Sequence, residues 1–164
     1  MSGTFTSSAV APLTQHPTSH PAPGFVLDCS VALGAFFEDE QDAYSLAVWQ
    51  TLTHVQAEVP ALWHLEMGNI LARALRSKRI SEPALQEAWG RLEQVGLHTC
   101  HAGVDARFWA QRSTDWGLTA YDACYLETAL QHRLPLATKD KALADAARRA
   151  GVPIYLNTPA RGPR

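Results

Sequence analysis

Short apolar runs alternate with longer stretches of helical periodicity along this chain. Residues 25–29 read Phe-Val-Leu-Asp-Cys, a run suited to a strand buried on both faces. Ser30 is placed to cap a helix through Val-Ala-Leu-Gly-Ala-Phe-Phe, and a second helix is expected from about Asp42 to Val55. A short extended piece, Glu-Val-Pro-Ala-Leu, follows, with Pro60 forcing a strand end or turn. Trp63, Met67, Ile70, Leu71 and Ala74 recur at helical spacing and predict a long helix over 62–77. Ser81 starts another helix with Pro83 in its first turn, and Gly96 closes it. Residues 97–101 (LHTCH) form a candidate strand, and helices follow at roughly 104–113 and 120–132. LPLAT is the next strand, Asp140 opens a helix through Arg149 that Gly151 ends, and VPIYL is the last strand.

Strands alternating with helices predict an α/β fold, a mostly parallel central sheet flanked by helices. Residues 1–23 are rich in Ser, Thr, Pro and Ala without periodicity and read as a flexible tail. The folded domain spans 24–157, and 158–164 read as a second tail. A chain of 164 residues is about one domain with room for a sizeable core.

Composition changes this picture little, but charge distribution adds to it. The net charge is −2, which gives no global reason to expect nucleic-acid binding. No Lys or Arg precedes Arg73, whereas residues 73–164 carry about +5. Such an asymmetry suits a site that holds a metal and a polyanion together; it equally suits solvated helices. Three cysteines, Cys29, Cys100 and Cys124, without paired spacing suggest reduced thiols in a cytoplasmic protein. His98, Cys100 and His101 form a short cluster, but a fourth zinc ligand is missing and the segment fits a strand. No apolar run approaches the ~20 residues of a membrane span, and the N-terminus lacks the positive start of a secretory signal.

Four acids fall where such a fold could gather them, since ligands bind at the carboxyl ends of the strands. Asp28 ends the first strand, so its carboxylate loses hydration and needs a partner: a cation, or the amides of the next helix. Glu66 lies beside the apolar stripe of its helix, on one flank with Asn69 and Arg73; metal binding and a salt-bridged helix edge both fit. Asp122 completes a Thr-Ala-Tyr-Asp capping box, which explains it structurally without excluding a metal. Asp140 follows the LPLAT strand and can cap the next helix, with the Thr138 hydroxyl beside it. Like charges in a partly dry cleft repel strongly, and a shared divalent cation resolves that.

The chain from Phe25 to about Tyr155 resembles the PIN-domain ribonucleases, most closely the VapC-type toxins of toxin–antitoxin pairs. FVLDCSVAL is similar to the family's opening strand with its Asp and Ser. PALWHLEMGNIL resembles its helix with Glu followed by Asn, and LTAYDACYLETALQHRLPLATKDKALADAARRAGVPIY its closing segment. The resemblance implies a three-layer sandwich and cleavage of RNA phosphodiesters with Mg2+ or Mn2+. Asp28, Glu66, Asp122 and Asp140 would then be metal ligands or water-positioning groups, with Ser30, Asn69 and Thr138 supporting them. Arg73, Arg76, Lys78 and Arg79 are four cations within seven residues that suit RNA phosphates and equally suit the helix C-terminus they sit near; Lys139 and Lys141 flank Asp140, closer to a substrate, and Trp116 is a candidate to stack on a base. A homodimer silenced by a small cognate antitoxin is also implied. Two alternatives compete: another Mg-dependent phosphohydrolase, such as a haloacid-dehalogenase-like enzyme, and a non-catalytic PIN-like binding module. The first expects Asp-x-Asp where this chain has Asp28-Cys29-Ser30.

Overall fold

The computed structural model describes residues 24–101 and 105–156, so the two expected tails lie outside the described residues. Its centre is a sheet of four parallel strands. These are β1 (Gly24–Leu27), β2 (Gln56–Pro60), β3 (Leu97–Cys100) and β4 (Leu136–Ala137), in the order β3-β2-β1-β4. Seven α-helices flank it, in the three-layer arrangement expected: α1 (Cys29–Ala32), α2 (Ala43–Thr51), α3 (Ala61–Arg76), α4 (Glu82–Glu93), α5 (Ala106–Trp116), α6 (Ala120–His132) and α7 (Lys141–Arg149).

The central strand β1 is apolar on both faces because both are covered. Phe25, Val26 and Leu27 are fully buried. Trp63, Met67 and Leu71 of α3 bring one stripe into the core, while Ala123, Leu126 and Ala129 of α6 bring another. Register is pinned by ladder bonds and strand-end contacts: Val26 pairs with Glu58 on one side and Leu136 on the other. The Asp28 amide donates to the Ala137 carbonyl at 3.0 Å, joining the carboxyl ends of β1 and β4.

Three local expectations need correction. The helix after β1 is one turn long and breaks into two 3-10 turns, Leu33–Ala35 and Glu38–Glu40. Phe36 and Phe37 turn into the core there, and Gly34 sits so close to Ser45 that an added Cβ would lie 3.1 Å from the serine Cβ. Ser30 is not the cap of α1; Asp28 occupies that position with extended backbone. Third, VPIYL forms only a bridge, Ile154 to Leu136, beside β4. Pro153 has no amide to donate, and Leu156, at φ 55°, turns the chain away. Two caps match their sequence signals: Thr119 accepts from the Asp122 amide at 3.1 Å, and Asp140 accepts from the Leu143 amide at 2.7 Å.

Gly68 lies exposed in the middle of α3, and a methyl group there would meet no atom within 4 Å. Gly68→Ala is therefore expected to raise unfolding stability by about 0.5–1 kcal/mol through helix propensity alone. Chemical denaturation checks this; an unchanged or lower midpoint would show that the open space above Gly68 is occupied.

Candidate functional site

All four acids stand at the carboxyl end of the sheet. Asp28 directly follows β1, and Asp140 comes three residues after β4 ends at Ala137. Glu66 lies in the second turn of α3, which starts where β2 stops. Asp122 lies in the first turn of α6, whose last turn leads into β4, so its beginning is at the sheet's opposite, carboxyl end.

A hydrogen-bond chain fixes Asp28. Ser30 Oγ donates to its Oδ2 at 2.5 Å and Thr138 Oγ1 donates to the same oxygen at 2.6 Å. Each hydroxyl is itself oriented by an amide: Lys139 N donates to Ser30 Oγ at 2.9 Å, and Asp140 N to Thr138 Oγ1 at 3.0 Å. The Asp28 side chain makes no helix-cap hydrogen bond to α1, although the Ser30 backbone amide still acts to lower its carboxyl. Its residue surface is 7% exposed. Burial pushes its carboxyl above the usual carboxylate range, against the two hydroxyls, and the charge of Asp122 pushes the same way.

Glu66 is held from beneath. Tyr125 donates its phenol to Glu66 Oε2, the Cys29 thiol approaches the same oxygen at 3.7 Å, and Cys29 and Tyr125 touch at 3.3 Å. Burial raises the Glu66 carboxyl; the charges of Asp28 and Asp122 raise it further, while Tyr125 and Cys29 act against them. Tyr125 and Cys29 themselves keep their protons, because burial raises both strongly. The Thr119 hydroxyl donates to Asp122 Oδ2 at 2.7 Å and aims that carboxylate. The charge of Asp122 acts on Asp28 and Glu66, and that of Asp28 on Glu66, so these three form one electrostatic group; Asp140 reaches it only by its backbone amide, through Thr138, while its carboxylate accepts from the Leu143 amide. Their oxygens do not close into a tight cage: among the described residues, the one trio of ligand atoms within 4.8 Å of one another is Glu58, His98 and Cys100. The donor chemistry of the acids fits a hard, oxygen-seeking divalent cation that keeps part of its water shell.

The cations divide into two groups. Arg73, Arg76 and Lys78 are exposed at the end of α3, with Asn69 on its exposed surface nearer Glu66. Arg79 is engaged elsewhere, bonded to Asp39 at 2.7 Å and Glu40 at 3.1 Å, with its guanidinium 4.1 Å from the centre of the Phe37 ring. Lys139 donates to the Glu40 carbonyl at 2.8 Å and pairs with Asp42 at 3.3 Å, tying the site to the start of α2. Lys141 and Arg148 line a cleft of ≈ 430 Å³ together with Asp140 and Tyr44. The Trp116 indole N–H donates to buried Glu127 at 3.1 Å, and Arg112 pairs with the same carboxylate at 3.0 Å, so Trp116 has a structural role.

Sequence reasoning missed Tyr125 and Cys29. The signal for Tyr125 was present: it lies three positions after Asp122, hence on the same side of α6. Cys29 carried no such signal, since contact with Glu66 depends on how α3 packs against α1.

The PIN domain family model matches residues 25–149, and the chain belongs to the PIN-domain family, whose members are commonly nucleases. Its fold is similar to the crystal structure of PAE2754 from Pyrobaculum aerophilum, with a TM-score of 0.57 and 20% identity, covering 82% of this chain and 88% of that one. It also aligns with a domain of a functionally unknown protein from Methanocaldococcus jannaschii DSM 2661, at a TM-score of 0.48 and 16% identity over 87% of this chain and 96% of that one. No curated protein matches the chain. Among the described residues, no helix is long and apolar enough to cross a membrane.

Asp28 and Glu66 bind protons more tightly folded than in the unfolded chain. The metal-free protein therefore loses stability as pH rises from the ordinary carboxylate range through their raised values. Asp28→Asn keeps an acceptor for Ser30 and Thr138 but removes the charge. It is expected to flatten this slope and raise Tm at neutral pH by about 2–5 °C. Melting curves across mildly acidic to neutral pH, with chelator present, decide this; a wild-type slope unaltered by Asp28→Asn would contradict it.

Proposed function

We propose that this PIN domain is a divalent-metal-dependent endoribonuclease that uses Mg2+ or Mn2+, with Asp28, Glu66, Asp122 and Asp140 as its catalytic acids. One observation carries the reading: the charges that act most strongly on Asp28 and Glu66 are other carboxylates, with no Lys or Arg among them. Natural folds rarely leave partly buried like charges uncompensated; protonation is one compensation, and a cation from solvent is the one that keeps the acids charged. Such an ion supplies an activated water and stabilises charge on the phosphoryl oxygens. Ser30 and Thr138 hold Asp28 in one rotamer for it, and Tyr125 does the same for Glu66. Asn69, Arg73, Arg76 and Lys78 extend from Glu66 along α3 as a track for the RNA backbone, while Lys141 serves the other side. Lys139 and Arg79 contribute through the loop they anchor.

The VapC-type resemblance extends the proposal: a homodimeric toxin silenced by a small cognate antitoxin. An unneutralised acidic cleft supports this, because an antitoxin arginine entering it would meet the same field as the metal. The dehalogenase-like alternative loses ground because Ser30, standing where that chemistry wants a second acid, is bonded to Asp28.

Purified protein is expected to cleave single-stranded RNA with Mg2+ or Mn2+ and to stop on chelation. Asp28→Asn should reduce the rate by about 100-fold or more without loss of folding, and Thr138→Ala by about 10-fold. Equal rates for wild type and Asp28→Asn, or cleavage that survives chelator, would sink the enzyme. Binding without cleavage would identify the non-catalytic module instead. Growth arrest on induction that persists in Asp122→Asn would remove the toxin mechanism.

A further inference from the structure

A second cluster lies apart from the four acids, on the sheet face covered by α6. The parallel register sets Glu58 of β2 beside His98 of β3. Cys100, two residues on, projects to the same face as His98, since strand side chains alternate. Cys100 Sγ lies 2.9 Å from Glu58 Oε2 and 3.9 Å from His98 Nδ1, and all three ligand atoms fall within 4.8 Å of one another. His132, at the end of α6, places Nδ1 2.7 Å from the same Glu58 oxygen.

We propose that Glu58, His98 and Cys100 form a zinc site, with His132 orienting the Glu58 carboxylate. The donor set decides the metal. One sulfur, one imidazole nitrogen and one carboxylate oxygen suit Zn2+ and disfavour the hard Mg2+. In a tetrahedral zinc site a sulfur lies about 3.5 Å from a nitrogen or an oxygen ligand, so the ion would draw Cys100 and His98 slightly together and part Cys100 slightly from Glu58. Without metal the Cys100 thiol donates its proton to Glu58. On binding, the ion replaces this proton, which leaves to solvent. The three residues come from two strands, and the fourth group from a helix. The ion therefore clamps the edge strand β3 to β2 and, through His132, to the end of α6. His101 of the original sequence cluster is not needed: it lies beyond the end of β3, and Glu58 replaces it.

Cobalt tests the assignment, because a thiolate ligand gives Co2+ a near-ultraviolet charge-transfer band that carboxylates do not. Full-length protein freed of metal is titrated with Co2+, then with Zn2+. The expected result is one equivalent of Co2+ with the thiolate band, displaced by Zn2+, and a Tm raised by about 3–5 °C with zinc. Cys100→Ser should abolish the band, while Cys29→Ser, Cys124→Ser and Asp28→Asn keep it. Exposed His98→Ala should weaken Zn2+ binding at least about 10-fold. No band in the wild type, or a band that survives Cys100→Ser, overturns the site. Should Cys100→Ser fail to fold, undiminished zinc affinity in His98→Ala overturns it equally.

Discussion

A carboxylate stranded at the end of the most buried strand governs this molecule. β1 is covered on both faces, so Asp28 emerges from it with little water around its side chain. Two hydroxyls from different segments converge on one of its oxygens, and two backbone amides hold those hydroxyls in turn. The arrangement requires β4 to lie next to β1, Thr138 to follow β4 directly, and α7 to start at Asp140. Sheet order, strand length and helix capping are thus all tied to the placement of a single negative charge. Neutral hydroxyls lower its energy but do not neutralise it, and the fold brings Asp122 and Glu66 near rather than a lysine.

That choice has a thermodynamic signature. Buried acids that raise one another's affinity for protons weaken the fold at neutral pH, and they do so most when no cation is present. A protein selected for stability alone would replace Asp28 with Asn and keep the same hydrogen bonds. Retaining the charge makes sense where the charge is used. The basic residues follow the same division. Lys139 lies next to Asp140 in sequence, yet its ammonium reaches across to Glu40 and Asp42. It compensates the acidic loop before α2 and leaves Asp28 and Glu66 without a paired ammonium.

Local patterns carried much of the architecture. Apolar runs marked β1 and β4, Glu-Val-Pro-Ala-Leu marked an extended piece at β2, LHTCH marked β3, a helical stripe marked α3, and the caps at Thr119 and Asp140 were readable from residue type. The acids were readable as strand-end and helix-start residues, because the rule that ligands bind at carboxyl ends needs only the order of elements. Contacts between segments were not. By residue type alone Ser30 reads as the cap of α1; only the family resemblance set it in support of the acids, and it turns back to Asp28. The α1 region broke into 3-10 turns because Phe36 and Phe37 sought the core, a tertiary preference that overrode helical continuity. VPIYL looked like a strand by composition, but Pro153 and the turn at Leu156 limit it to one bridge.

Glu58, His98 and Cys100 show the same boundary most sharply. A His-x-Cys spacing puts both side chains on one face of a strand, and that much is local. A third ligand requires knowing which strand lies alongside, in which direction and in which register. An antiparallel pairing, or a slip by one residue, would turn Glu58 to the opposite face and leave His98 and Cys100 as an unremarkable pair. His101, adjacent in sequence, is the tempting partner, but the strand ends before it. Sequence proximity therefore pointed to His101, whereas the parallel sheet brings Glu58 to the pair. The same sheet gathers hard oxygen donors at its carboxyl end and a mixed sulfur, nitrogen and oxygen set on one face. Two cations of different character can be sorted by ligand chemistry alone, without either site needing to exclude the other's metal by size.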